Sequence, residues 1–148
     1  MGDRHPHAQL IREFHDRQNR FYAGGEQQPV GALLAEDVTW HVPGSSALGG
    51  DHRGRDDVLG YFARRRELAD ATFRIDVRGV LSDGERTVVL ARGEVQRGGE
   101  TFAWGTVAIF RVADGRIAEC WVVPHDQRAF DQIWASPAIG GSSLPPVA

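Results

Sequence analysis

The side chains here that could move a proton or hold charge near neutral pH are scattered histidines, acids and tyrosines. His41 lies in Val38-Thr39-Trp40-His41-Val42, a short run of β-forming residues that ends at Pro43-Gly44. Facing a pocket mouth, its imidazole could take or give a proton near pH 7; on the opposite face from Trp40 it is hydrogen-bonded structure. Asp126 follows the last apolar stretch, between His125 and Gln127. A carboxylate at a pocket rim against apolar walls has a raised pKa and acts as a base. Asp is also a favoured N-cap, and that reading weighs more. His125 and Asp126 are neighbours on an extended backbone and point apart, so they make no dyad. Tyr61 sits at helical spacing with Val58 and Phe62, as core with a polar tip or as a phenol donor to a pocket. His52 and Arg53 occupy a glycine-rich stretch. Arg53 either holds an anionic or carbonyl group or, the weightier reading, pairs with Asp51 or Asp56. Arg92 and Glu94 share one strand face, and Glu119 shares one with Trp121. An inward Glu94 or Glu119 would be a pocket carboxylate and an outward one a surface ion pair; a single β-bulge reverses that parity.

Other chemistries lack support. His5-Pro6-His7 lies at the terminus and the other four histidines are far apart, so no metal-ligand spacing exists. Ser45 and Ser46 lack the strand–turn–helix setting of a nucleophilic serine, and there is no phosphate loop or dinucleotide fingerprint. All 17 basic residues are arginine, which removes lysine Schiff-base chemistry. The net charge of −3 gives a nucleic-acid partner no electrostatic support. No apolar run approaches the ~18 residues of a membrane helix, and MGDRHPHAQL lacks a secretory apolar stretch. Cys120 is a single cysteine and fits a reducing compartment. The expectation is a soluble, cytoplasmic protein without a membrane partner.

The elements that must position these groups read as helices first and strands afterwards. Leu10, Phe14 and Phe21 recur at helical spacing between Pro6 and Tyr22, with Ile11 beside Leu10, and Gly24-Gly25 stops the run. A short helix follows Pro29, carrying Val30, Leu33 and Leu34. A short strand covers Val38–Val42, and residues 44–53 form a loop. A third helix starts near Gly54, with Asp56 and Asp57 in its first turn and Val58, Tyr61, Phe62, Arg65 and Leu68 on one face. From Ala71 the period becomes two. Turn signals at Ser82-Asp83-Gly84, Arg97-Gly98-Gly99 and Ala113-Asp114-Gly115 divide the rest into four hairpin-linked strands. The last two strands are apolar on both sides, as a sheet covered on both faces would be. A helical piece spans residues 127–134 with Phe130, Ile133 and Trp134. With 148 residues the chain suits one α+β domain over residues 1–136, followed by a mobile tail at 137–148. In it, a curved antiparallel sheet of four long strands plus a short first strand packs against three N-terminal helices, with a short C-terminal helix. Helices across such a sheet leave a cone-shaped pocket. Trp40, Trp104, Trp121, Trp134, Phe102 and Phe110 make its walls apolar, and as a set they suit a bulky ligand.

Three segments resemble the SnoaL-like branch of the nuclear transport factor 2-like superfamily, relatives of ketosteroid isomerase and polyketide cyclases. They are Leu34–Gly44, Gly50–Val58, and Gly115–Trp121 with Asp126-Gln127 and Phe130–Trp134. The resemblance covers roughly residues 10–134 and implies the cone fold, no metal or organic cofactor, and a homodimer through the sheet. It also implies a pocket carboxylate on the last strand, but Val122 and Val123 stand at the two corresponding positions. The expected function is a cofactor-free enzyme using acid–base chemistry on a small, largely apolar carbonyl, polyketide-like or epoxide substrate. In that scheme His41 and Asp126 move the proton and Tyr61 or Arg53 polarises the oxygen. Trp40, His52, Phe62, Phe102, Trp104, Trp121, Val123, His125, Phe130 and Trp134 join Arg53 around the substrate. The alternative is a non-catalytic small-molecule-binding or protein-association domain, which the two valines favour.

Overall fold

The computed structural model describes residues 4–135. Helix α1 spans Pro6–Tyr22. Pro6 opens it, and His5 caps it by accepting the His7 backbone N–H at 3.0 Å. Its buried stripe is Ile11, Phe14, His15, Gln18, Phe21 and Tyr22, so two polar residues lie on the face that meets the core. Helix α2 is a single turn, Gln28–Gly31, and α3 spans Arg55–Leu68. The buried side of α3 is Val58, Leu59, Tyr61, Phe62 and Arg65, with Asp56 and Asp57 at its electropositive start. The strands are β1 (Leu34–Val42), β2 (Gly50–Arg53), β3 (Arg74–Ser82), β4 (Thr87–Arg97), β5 (Glu100–Ala113) and β6 (Arg116–Pro124). Helix α4, Gln127–Ile133, closes the described chain.

The fold is α+β, with a curved, open sheet against helices, but the sheet is mixed and six-stranded. Its order is β2-β1-β6-β5-β4-β3, and β1 runs parallel to β6 while every other pair is antiparallel. This corrects the expected all-antiparallel sheet with a short first strand. β1 begins at Leu34, not Val38, and Leu34 belongs to it rather than to the second helix. The cause is local: Glu36 and Asp37 are both exposed, and the pairing with β6 shifts register between Leu34 and Thr39. Alternation is broken there, so the first half of the strand does not read as one. β2 forms where a loop was expected. Its residues, Gly-Asp-His-Arg, include no aliphatic side chain to set a period. The proposed tail at 137–148 lies outside the described residues.

One face of the sheet carries Val38, Trp40, Val89, Val95, Trp104, Phe110, Cys120 and Val122 against the helices. The rings of Phe14, Trp40, Phe62 and Phe110 sit 5.1–6.0 Å apart and fill much of the space beneath α1 and α3. Such pairs add about 0.5–1.5 kcal/mol each beyond burial. The other face is open, with Leu81, Leu90 and Val123 at 59%, 48% and 44% exposure.

Candidate functional site

Between the helices and the sheet remains a narrow hollow of about 40 Å³ for the centre of a water-sized sphere. That is room for a few water molecules or the head of a small ligand. Its apolar walls include Trp40, Phe73, Trp104, Phe110, Val122 and Phe130, and its ionisable lining is His15, Arg65 and Cys120. Gly93 shapes one wall: it faces Trp104 across β4 and β5, and a methyl there would collide with the indole. The aromatic set therefore fills more of the interior than it leaves open for a bulky ligand.

His15 and Gln18 reach the hollow from α1, one helical turn apart. The Nδ1–H of His15 donates to the Ile11 carbonyl at 3.0 Å. A carbonyl can only accept, so the proton is on Nδ1 and the lone pair on Nε2. Burial, aided by the charge of Arg65, lowers the His15 pKa to about 4, against the opposing bond to Ile11, and the ring is neutral at pH 7. Arg65 comes from α3, four residues after Tyr61, and is 5% exposed. Its Nη1 donates to the Tyr22 hydroxyl at 3.2 Å. Its guanidinium carbon lies 4.8 Å from the ring centres of Tyr61 and Phe73 and 5.3 Å from that of Trp134. Each cation–π contact recovers about 0.5–2 kcal/mol of the cost of burying the charge. Sequence reasoning put Arg65 on the inner stripe of α3 but gave neither it nor His15 a role. The usable signal was a polar residue inside an apolar helical stripe.

The residues singled out from the sequence do not converge on one place. Trp40, Trp104 and Phe130 line the hollow. Phe62 packs on Trp40, and Trp134 helps to enclose Arg65. Phe102 is half-buried at the edge of the core. Tyr61 is buried with its hydroxyl unpaired among the described residues, and desolvation drives its pKa up. His52 stacks on Tyr61 at 4.5 Å and bonds the Leu48 carbonyl at 2.9 Å. Arg53 is exposed and lies 3.4 Å from Asp51. Asp126 accepts the Ala129 N–H at 3.0 Å and caps α4. His125 lies over Gly105.

His41 points to the opposite side of the sheet from Trp40. Its Nδ1 lies 2.8 Å from Asp51 and its Nε2 2.6 Å from Glu119, and it stacks on Trp121 at 5.4 Å. Two carboxylate partners require both nitrogens to carry protons. Desolvation works against that charge, but the bonds to Glu119 and Asp51 outweigh it and raise the His41 pKa. Arg111 also reaches Glu119, at 3.3 Å, and Arg92 pairs with Glu94 at 2.9 Å on the same open face. Val123 is on that face too, whereas Val122 faces the hollow. Glu94 and Glu119 are therefore surface acids, and the inward position Val122 carries none. No cluster of three metal-ligating side chains forms among the described residues.

The SnoaL-like domain family matches residues 11–120. An uncharacterised protein of Mycobacterium tuberculosis is 30% identical over 115 residues, covering 77% of this chain and 88% of that protein. Among solved structures, Bal32a from a soil-derived mobile gene cassette superposes with a TM-score of 0.75 at 28% identity, covering 86% of this chain and 98% of its own. A candidate polyketide cyclase from Xanthomonas campestris pv. campestris does so with a TM-score of 0.65 at 20% identity, covering 87% and 96%. At that identity the second structure speaks for the fold alone. With its helices, curved mixed sheet and inward-facing hollow, this chain belongs to the SnoaL-like family of the nuclear transport factor 2-like superfamily.

Proposed function

We propose that the protein is a cofactor-free enzyme that moves a proton on a small carbonyl-bearing molecule held in the hollow, as an isomerase or cyclase does. His15 is the proton acceptor. The observation that carries this reading is its neutral ring, with Nδ1 committed to Ile11 and Nε2 left as a base at the hollow. An inward last-strand acid is the usual base implied by the family resemblance. Val122 holds that inward position here, so the base must come from another element. A pKa near 4 makes His15 a weak base in the free protein. Negative charge developing on a substrate oxygen near Arg65 offsets one of the influences that keep it low. A candidate polyketide cyclase is built on the same fold.

The test is turnover by the purified protein on enolisable ketones and β-keto esters, followed by solvent deuterium exchange. His15→Gln is expected to lose at least about 100-fold in kcat, the lower end of what a positioned acid–base group contributes. His41→Ala, altered on the open face, is expected to keep its rate. Equal rates in wild type and His15→Gln reject this assignment. The lack of any carboxylate in the described lining favours a second reading, a non-catalytic binding domain, for which saturable binding without turnover is the signature. We further propose that the open sheet face pairs with a second copy of the chain.

A further inference from the structure

Among the described residues, Arg65 is a buried charge without a counter-charge. Among the described residues its hydrogen-bond partner is the Tyr22 hydroxyl, and none of the carboxylates forms an ion pair with it. A guanidinium stays protonated at every pH a folded protein tolerates. The acids around it do not ionise to balance it, because desolvation drives Tyr22, Tyr61 and Cys120 upward. The rings of Tyr61, Phe73 and Trp134 soften the cost of this burial but offer no acceptor, and Nε has none.

Other polar atoms of the lining also lack partners among the described residues. Trp40 Nε1 is buried without one. The Tyr22 oxygen receives bonds from both Arg65 and Gln18 Nε2, which strands the phenol proton and leaves Gln18 Oε1 unpaired. Turning the Gln18 amide over resolves both: Tyr22 then donates to Oε1, and an amide N–H takes the unpaired position. With that amide orientation, Arg65, Trp40 and Gln18 each bring an unpaired donor to residues that line one small hollow, which His15 lines as well. Water could occupy such donors, but it cannot cancel a charge, and in a dry interior the uncancelled charge is the larger penalty.

We infer that the hollow is a binding site for a small organic carboxylate, its oxygens on Arg65 and its carbon frame against Phe73, Trp104 and Phe110. A planar guanidinium suits a carboxylate because two parallel N–H groups match its two oxygens. The narrow cavity limits the carbon frame to a short chain or a single ring. This rests on the proposed reading only in using the same hollow. It requires binding, not turnover.

Calorimetric titration of the wild-type protein with benzoate against benzamide, and with propionate against propionamide, tests it directly. At least one carboxylate is expected to bind about tenfold or more tighter than its amide, which lacks the charge that the site is built to receive. Arg65→Met is expected to abolish that preference while melting no lower than wild type without ligand, since it removes an unpaired charge. Arg65→Gln is the second variant should Met fail to fold, and the wild-type comparison decides the matter if neither folds. The inference is overturned if neither carboxylate binds at millimolar concentration, if amides bind as well, or if a folded Arg65 variant keeps the preference. His15→Gln separates the two proposals. Carboxylate preference in both it and wild type, with no turnover by wild type, removes the enzymatic reading and leaves the binding site standing.

Discussion

His15 and His41 lie on opposite sides of the sheet, and folding drives their protonation in opposite directions. His15 has an ordinary value of 6.5 and a folded value of about 4. Between those values the unfolded chain binds a proton that the folded chain refuses, so stability must fall as pH drops from 6.5 to 4. A shift of that size corresponds to about 3 kcal/mol once both limits are passed. His41 behaves the other way: its folded pKa is raised, so its contribution is complete below 6.5 and fades as pH climbs through the folded value. Asp51 and Glu119 have lowered values and lose their contributions only as pH falls through those values. Urea midpoints measured from pH 7 to pH 4 should therefore decline more steeply in wild type than in His15→Gln. Parallel curves for the two proteins would show that His15 is not held neutral. The sequence reading placed Arg65 on the inner stripe of α3 but passed over His15 and Gln18, although i, i+4 spacing sets them with core residues of α1. It did not show that they meet, because α1 and α3 are far apart in the chain and touch, as Arg65 does Tyr22 and Phe62 does Phe14, only once it is folded.

Hairpins were the readable elements. The turns at residues 82–84, 97–99 and 113–115 carry glycines with positive φ at Gly84, Gly98, Gly99 and Gly115, a requirement that shows in residue type alone. The four strands between them pair in the order in which they follow one another. β2 was unreadable because it carries no aliphatic side chain to set a period, and the first half of β1 because its pairing comes from a distant partner. Ile117 N–H bonds the Leu33 carbonyl, and β1 then runs alongside β6, its partner about eighty residues along the chain. At α4 the structure brings out the capping role of Asp126. Replacing Asp126 with Ala should cost about 1 kcal/mol, the usual value of a lost N-cap, and lower the melting temperature by a few degrees. Stability matching wild type would mean that the 3.0 Å bond to Ala129 contributes nothing in solution.

The two faces of the sheet divide the work. The inner face meets helices and the hollow, while the outer face carries a continuous apolar band. Leu81 pairs with Val88, Val88 with Ile109, and Ile109 with Trp121; beside them Leu90 pairs with Val107 and Val107 with Val123. Charged clusters border the band, Arg92 with Glu94 near one end and Arg111, Glu119, His41 and Asp51 near the other. A monomer rarely leaves so long a patch in water. A two-fold pair covers it most simply, because the same band serves on both copies. The proposed pairing predicts a dimer mass by light scattering at micromolar concentration. Val123→Arg or Leu90→Arg should yield a monomer with an unchanged circular dichroism spectrum, since both side chains are already half in solvent. Because the hollow lies on the other face, carboxylate binding should survive the split. A wild-type monomer at those concentrations would leave the band without its partner, and a loss of binding in the separated variants would tie the hollow to the assembly.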